Sequence, residues 1–159
     1  DNAPGQVVIS GQADALDEAT EALGAAGARR IIPLRVSGPF HSPAMRPVGA
    51  ELARAFDDVT WRDATTPLMS NVTARPVTDA SQIRGLLARQ VSSPVEWVAC
   101  VRHMRDAGVD TFVECGPGAA LSGMVRRIAP EARVLNVSDP ATLAATVDAL
   151  LPVAAEASA

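Results

Sequence analysis

The first 36 residues alternate between apolar runs and a helical pattern. Two short runs, residues 6–10 and 31–36, are apolar enough to predict strands of the buried type. Between them the apolar positions follow helical spacing and the opposite face is acidic; the apolar positions are Ala15, Leu16, Ala19, Ala22 and Leu23. We therefore predict strand, helix and strand, which is half of a small split β-α-β sheet with an open edge and an uncovered face.

The remainder of the chain alternates helical patterns with short extended segments. Asp79 is predicted to cap one helix, and the segment 73–76 is predicted to end the extended run before it. The predicted helices cover residues 43–57, 79–91, 94–108, 121–128 and 140–150, and the extended segments cover 59–61, 67–72, 109–115 and 133–137. Strands that alternate with helices indicate an α/β sheet with parallel pairing. Residues 152–159 are predicted to be a frayed tail.

Composition narrows the class of protein. The chain of 159 residues is 48% hydrophobic, which is enough for a real core, but only 3% aromatic and without Tyr. A net charge of −4 argues against nucleic acid as a partner. Cys100 and Cys115 have no metal-ligand spacing and are predicted to be buried thiols in a reducing compartment. With no signal peptide and no membrane-spanning run, we expect a cytoplasmic protein without a metal site.

The segment 37–45, which contains His41, is the strongest candidate for chemistry. It follows the apolar run 31–36, contains a Gly38-Pro39 turn, and leads into a helix at Pro43. A histidine on such a stiff corner is well placed to act as a general base. The alternative is an ordinary histidine in a surface loop. His103, inside a predicted helix, is expected to lie on a solvated face.

Several motifs in register carry a resemblance. They cover residues 2–11, 33–45, 70–77, 90–97 and 114–118, the last followed by 121–123. In this order and spacing the chain resembles the malonyl-CoA:acyl carrier protein transacylase family from residue 2 to about 137. It is similar, more distantly, to the acyltransferase domains of modular polyketide synthases.

The resemblance implies a fold and a division of the chain. The fold would be α/β: an α/β-hydrolase-like large subdomain with part of a small ferredoxin-like subdomain. Residues 1–36 would be the second half of the ferredoxin-like part, and residues 37–151 the C-terminal part of the large one.

The resemblance also implies the chemistry. Malonyl would move from CoA to a carrier phosphopantetheine through a serine ester, with both thioesters as substrates and no cofactor. His41 would be the base, and the backbone carbonyl of Gln90 would orient its ring. Asn71 would be a supporting polar residue near the substrate. Phe40 would either pack or narrow the acyl pocket against substrates with an added methyl group.

One departure from the family pattern matters. No G-x-S-x-G occurs in the 159 residues, and Ser122 has the wrong spacing from Gly118 to supply one. We therefore expect the C-terminal half of such an enzyme, which is inactive unless a partner segment brings the serine nucleophile. The expected partners are that N-terminal half, acyl carrier protein and malonyl-CoA. The alternative is a non-catalytic scaffold or carrier-protein docking fragment.

Overall fold

The computed structural model describes residues 1–151. It contains six α-helices and four strands within that range, in the order α1 (Ala13–Ala25), α2 (Arg46–Ala55), β1 (Leu68–Ser70), β2 (Arg75–Val77), α3 (Ala80–Gln90), α4 (Trp97–Asp106), β3 (Thr111–Cys115), α5 (Ala120–Ile128), β4 (Arg133–Val137) and α6 (Pro140–Leu150). The predicted tail, 152–159, lies outside the described residues. The chain divides into two compact units, one formed by residues 1 and 7–100 and the other by 2–6 and the residues from 101 onward.

The first unit is built on the packing of α2 against α3 beside the β1–β2 hairpin. The prediction that Asp79 caps α3 is confirmed, because its carboxylate accepts the backbone N–H of Gln82 at 2.8 Å. Arg84 of α3 pairs with Asp57 and donates to the Ala53 carbonyl oxygen at 3.1 Å. These bonds fix α3 against the end of α2. The predicted helix 43–57 is present as α2 with a short 3₁₀ turn at each end.

The second unit is a parallel pair of strands with helices beside it. β3 pairs with β4 in the register Thr111↔Arg133 to Cys115↔Val137, so the predicted parallel pairing is confirmed here. Helix α5 connects the two strands, and α6, closed by the Asp139–Thr142 capping box, packs against β4. The predicted bounds of β4 and α6 match those observed.

Three predictions about this framework were wrong. The segments 6–10 and 31–36 form no strands in the structure of residues 1–151, apart from a bridge between Ala3 and Gln6. A strand requires a hydrogen-bonded neighbour, and these segments have none among the described residues. The segment 73–76 was predicted to end the extended run, but β1 already ends at Ser70 and the chain turns over residues 71–74. Arg75 and Pro76 begin β2, which pairs antiparallel with β1, so the chain has both kinds of pairing.

The third error concerns the cysteines. Cys100 is buried as predicted, but Cys115, at the end of β3, is exposed. The alternation of side chains along a strand places neighbours on opposite faces, and the apolar run alone does not reveal which face is covered.

Candidate active site

His41 lies on the corner between the extended segment 31–36 and the 3₁₀ turn Pro43–Met45. Its φ is +63°, in the left-handed region that costs an L-residue about 1–2 kcal/mol. The backbone holds it there, because the His41 N–H donates to the Val91 carbonyl oxygen at 2.9 Å. Backbone strain of this kind is concentrated at functional sites.

The imidazole of His41 is oriented by the same turn. Its Nδ1 lies 3.0 Å from the carbonyl oxygen of Gln90. A carbonyl oxygen can only accept a hydrogen bond, so Nδ1 carries a proton, and in the neutral ring Nε2 is the nitrogen with the lone pair. The ring is exposed, which leaves Nε2 able to accept a proton from a substrate or nucleophile.

The side chain of Gln90 lies near the same nitrogen. Its Nε2 is 3.5 Å from His41 Nδ1 and 3.5 Å from the Ser93 carbonyl oxygen. The contact between His41 Nδ1 and the Gln90 carbonyl oxygen is shorter, at 3.0 Å, so Nδ1 carries its proton toward that oxygen. An amide N–H cannot donate to a nitrogen that already carries a proton. The amide is therefore better satisfied by Ser93, and the carbonyl of Gln90 decides the tautomer of His41.

Two serine hydroxyls fasten the residues on either side of His41. Ser42, which is buried, donates to the Pro39 carbonyl oxygen at 2.7 Å. Ser10 donates to the Phe40 carbonyl oxygen at 2.6 Å, which ties the corner to the first predicted strand segment. The ring of Phe40 remains 41% exposed, so it is available to contact a substrate beside His41.

Asn71 begins the loop between β1 and β2 and is half-buried. Its backbone carbonyl oxygen accepts the N–H of Glu96 at 2.8 Å. Its side-chain oxygen lies 3.7 Å from the Cys100 sulfur, which is nearer, at 3.5 Å, to the Ser70 carbonyl oxygen. Burial raises the pKa of the Cys100 thiol, so the thiol stays protonated and can donate. The thiol has one proton and Ser70 is its nearer acceptor, so the firm hydrogen bond of Asn71 is the one from Glu96, and neither contact involves His41.

The structure brings together His41 and Gln90, which are 49 residues apart in the sequence. His103, which was predicted to lie on a solvated face of its helix, is half-buried on α4. Ser122 is buried inside α5, which excludes it as an exposed nucleophile.

Sequence reasoning missed the left-handed backbone of His41 and the acceptor role of Val91, because neither leaves a pattern in residue types.

Residues 1–151 contain neither a cluster of metal-ligating side chains nor a membrane-spanning helix. No group of three His, Cys, Asp or Glu side chains within residues 1–151 could hold a metal ion. None of the helices in that part of the chain is long and apolar enough to cross a membrane.

Known proteins are similar to this chain in both sequence and structure. Residues 1–147 match the acyl transferase domain family, and the chain therefore belongs to that family. The malonyl CoA-acyl carrier protein transacylase of Bacillus subtilis (strain 168) is 40% identical over 149 residues, which are 94% of this chain and 47% of that protein.

Solved structures agree. The crystal structure of MCAT from Streptococcus pneumoniae matches with a TM-score of 0.87 and 42% identity, over 94% of this chain and 48% of that one. A malonyl-transacylase solved in complex with its type II PKS acyl-carrier protein matches with a TM-score of 0.83 and 33% identity, over 87% of this chain and 45% of that one. The chain thus spans about half the length of the relatives that it matches.

Proposed function

We propose that this chain supplies the general base of a malonyl-CoA:acyl carrier protein transacylase. The observation that carries the proposal is the hydrogen bond from His41 Nδ1 to the Gln90 carbonyl oxygen, at 3.0 Å. It leaves Nε2 as the basic nitrogen on an exposed corner. The similarity to malonyl transacylases supplies the reaction class.

In the first half-reaction, His41 Nε2 takes the proton from a serine hydroxyl while the serine oxygen attacks the thioester carbon of malonyl-CoA. The C–S bond breaks, the imidazolium returns its proton to the CoA sulfur, and a malonyl-serine ester remains. In the second, His41 deprotonates the carrier's phosphopantetheine thiol. That sulfur attacks the carbonyl carbon of the ester, and the bond from this carbon to the serine oxygen breaks. The malonyl group is then a thioester of the carrier, and the imidazolium returns its proton to the serine oxygen.

The serine must come from a segment other than these 159 residues, which contain no G-x-S-x-G. We propose that this segment packs against the face that bears His41, and that it also covers the extended segments 6–10 and 31–36. These would then be strands of the ferredoxin-like subdomain, and residues 37–151 would belong to the α/β-hydrolase-like one. The chain without that segment is proposed to be inactive.

Two further residues are proposed to contact the substrate. Phe40 adjoins His41 in sequence and presents an exposed ring, so its bulk would limit the acyl group beside the base. Asn71 is proposed to supply a polar contact. Its side-chain amide is half-buried and can both donate to and accept from a ligand.

The test is His41→Asn in the assembled enzyme, meaning this chain together with the segment that carries the serine. Asn tolerates the left-handed backbone at this position, so the fold should be retained. Loss of a general base should lower malonyl transfer about 10²–10⁴-fold. His103→Asn is the matched control and should keep near-normal activity. An active His41→Asn enzyme would instead favour the scaffold or docking role.

A further inference from the structure

Gly49 lies within α2, where glycine is a poor choice on local grounds. A glycine inside a helix lowers stability relative to alanine, so its presence calls for a packing reason. Gly49 is half-buried, and it faces the last turn of α3. The packing reason is this contact between α2 and the last turn of α3.

A side chain at position 49 would meet backbone. A Cβ there would lie 3.0 Å from the carbonyl oxygen of Ala88, 3.5 Å from Val91 Cγ1 and 3.9 Å from Ser92 Oγ. A flexible side chain can move aside, but the Ala88 oxygen belongs to the main chain of α3 and moves only with its turn. Glycine therefore allows α2 to approach this turn closely.

The turn that Gly49 contacts is the one that holds His41. The Gln90 carbonyl oxygen accepts a hydrogen bond from the ring of His41. The next one, that of Val91, accepts the backbone N–H of His41. Both acceptors are main-chain atoms, so their positions depend on how closely α3 approaches α2. No change of the Gln90 side chain can remove them.

We propose that Gly49 is a positioning residue for His41, and that it acts through the last turn of α3. An added methyl group at position 49 would push Ala88 and the following residues outward. The Gln90 carbonyl would then lose its alignment with His41 Nδ1, and the ring would no longer be held in one tautomer. The effect on catalysis rests on the proposed function, whereas the effect on the ring does not.

The experiment compares Gly49→Ala with Gly85→Ala in the assembled enzyme. Gly85 is also inside a helix, but a Cβ there meets nothing within 4 Å. Gly49→Ala should lower kcat roughly 10- to 100-fold with little change in the KM for malonyl-CoA. Gly85→Ala should leave both constants near their wild-type values. Combining Gly49→Ala with Gly85→Ala adds helix propensity and keeps the protein folded if the single variant is unstable.

The second readout is the ¹⁵N spectrum of the His41 ring, identified by the signals that His41→Asn removes. Gly49→Ala should reduce the Nδ1–H tautomer, while the signals of His103 stay unchanged. Wild-type kcat together with an unchanged His41 spectrum would overturn the proposal. If the spectrum changes but even His41→Asn remains active, the positioning role stands and the proposed function fails.

Discussion

The Gln90 carbonyl oxygen lies 3.0 Å from His41 Nδ1, and it does the orienting work that a carboxylate performs in many histidine-based sites. A neutral acceptor fixes the tautomer without adding a negative charge beside the imidazole. Because the acceptor is a backbone atom, the orientation of His41 depends on the placement of α3 and not on a second side chain. This dependence makes packing contacts of α3, such as that with Gly49, relevant to the proposed function.

Phe40→Ser is expected to raise the use of methylmalonyl-CoA relative to malonyl-CoA. The exposed ring beside His41 would limit the acyl group, and accommodating one methyl group is worth roughly 1–3 kcal/mol. The measurement is the ratio of kcat/KM for the two thioesters in the assembled enzyme. Phe40→Leu, which keeps most of the bulk, should change the ratio much less. Equal ratios in all three proteins would mean that Phe40 only packs.

The helices and the parallel strand pair were largely predictable from sequence, because their signals are local. The Asp79 cap, the apolar stripe of α3 and the bounds of β4 and α6 all follow from residue type and spacing. The partner of His41 was not predictable by local reasoning. Its acceptor is a main-chain oxygen 49 residues away, and only the family resemblance pointed to Gln90. The hairpin was missed because the segment 73–76 was predicted to end the extended run, although Arg75 and Pro76 occupy paired positions in β2.

Glu114 is expected to make the second unit sensitive to acid. Its carboxylate accepts the N–H of Ser122 at 2.8 Å and of Leu121 at 3.1 Å, at the start of α5. The Ser122 side chain and these N–H groups lower the pKa of Glu114 below its ordinary 4.5. The Ser122 hydroxyl has no hydrogen-bond partner of ordinary geometry. We therefore attribute the lowered pKa of Glu114 mainly to the two backbone N–H groups.

A lowered carboxyl pKa stabilises the fold above the unfolded-state value, and the stabilisation is lost as pH falls through the folded-state value. Thermal unfolding of the assembled enzyme, followed from pH 7 to well below pH 4.5, should therefore show a smaller loss of stability in Glu114→Gln than in the wild type. The variant should already be less stable than the wild type at pH 7. Glu51→Gln on α2 is the control for removing a surface charge. Parallel pH curves for wild type and Glu114→Gln would contradict this role.

Ala74→Gly is expected to stabilise the β1–β2 hairpin. Ala74 has a φ of +51°, and its N–H donates to the Ser70 carbonyl oxygen at 2.8 Å, so the turn holds a methyl-bearing residue in the left-handed region. Relief of that strain should raise the free energy of unfolding of the assembled enzyme by about 1 kcal/mol, measured by denaturant titration. Ala50→Gly, inside α2, should lower it by about 1 kcal/mol. A loss of stability in both variants would show that the Ala74 backbone is not strained.

The segments 6–10 and 31–36 are expected to become protected only when the serine-bearing segment is present. Their large apolar side chains are exposed, with Val7 at 65% and Val36 at 66%, and covering them should contribute about 25 cal/mol per Å². We predict that residues 1–159 expressed alone give insoluble or molten material, and that co-expression with the serine-bearing segment restores folding and malonyl transfer. In the assembled enzyme, hydrogen exchange should be slow at Val8 and Leu34, whose segments have no strand partner among residues 1–151. The amides of the β3–β4 pair provide the internal reference. A soluble lone chain that unfolds cooperatively, with Val8 and Leu34 already protected, would refute the proposed partner and favour the scaffold role.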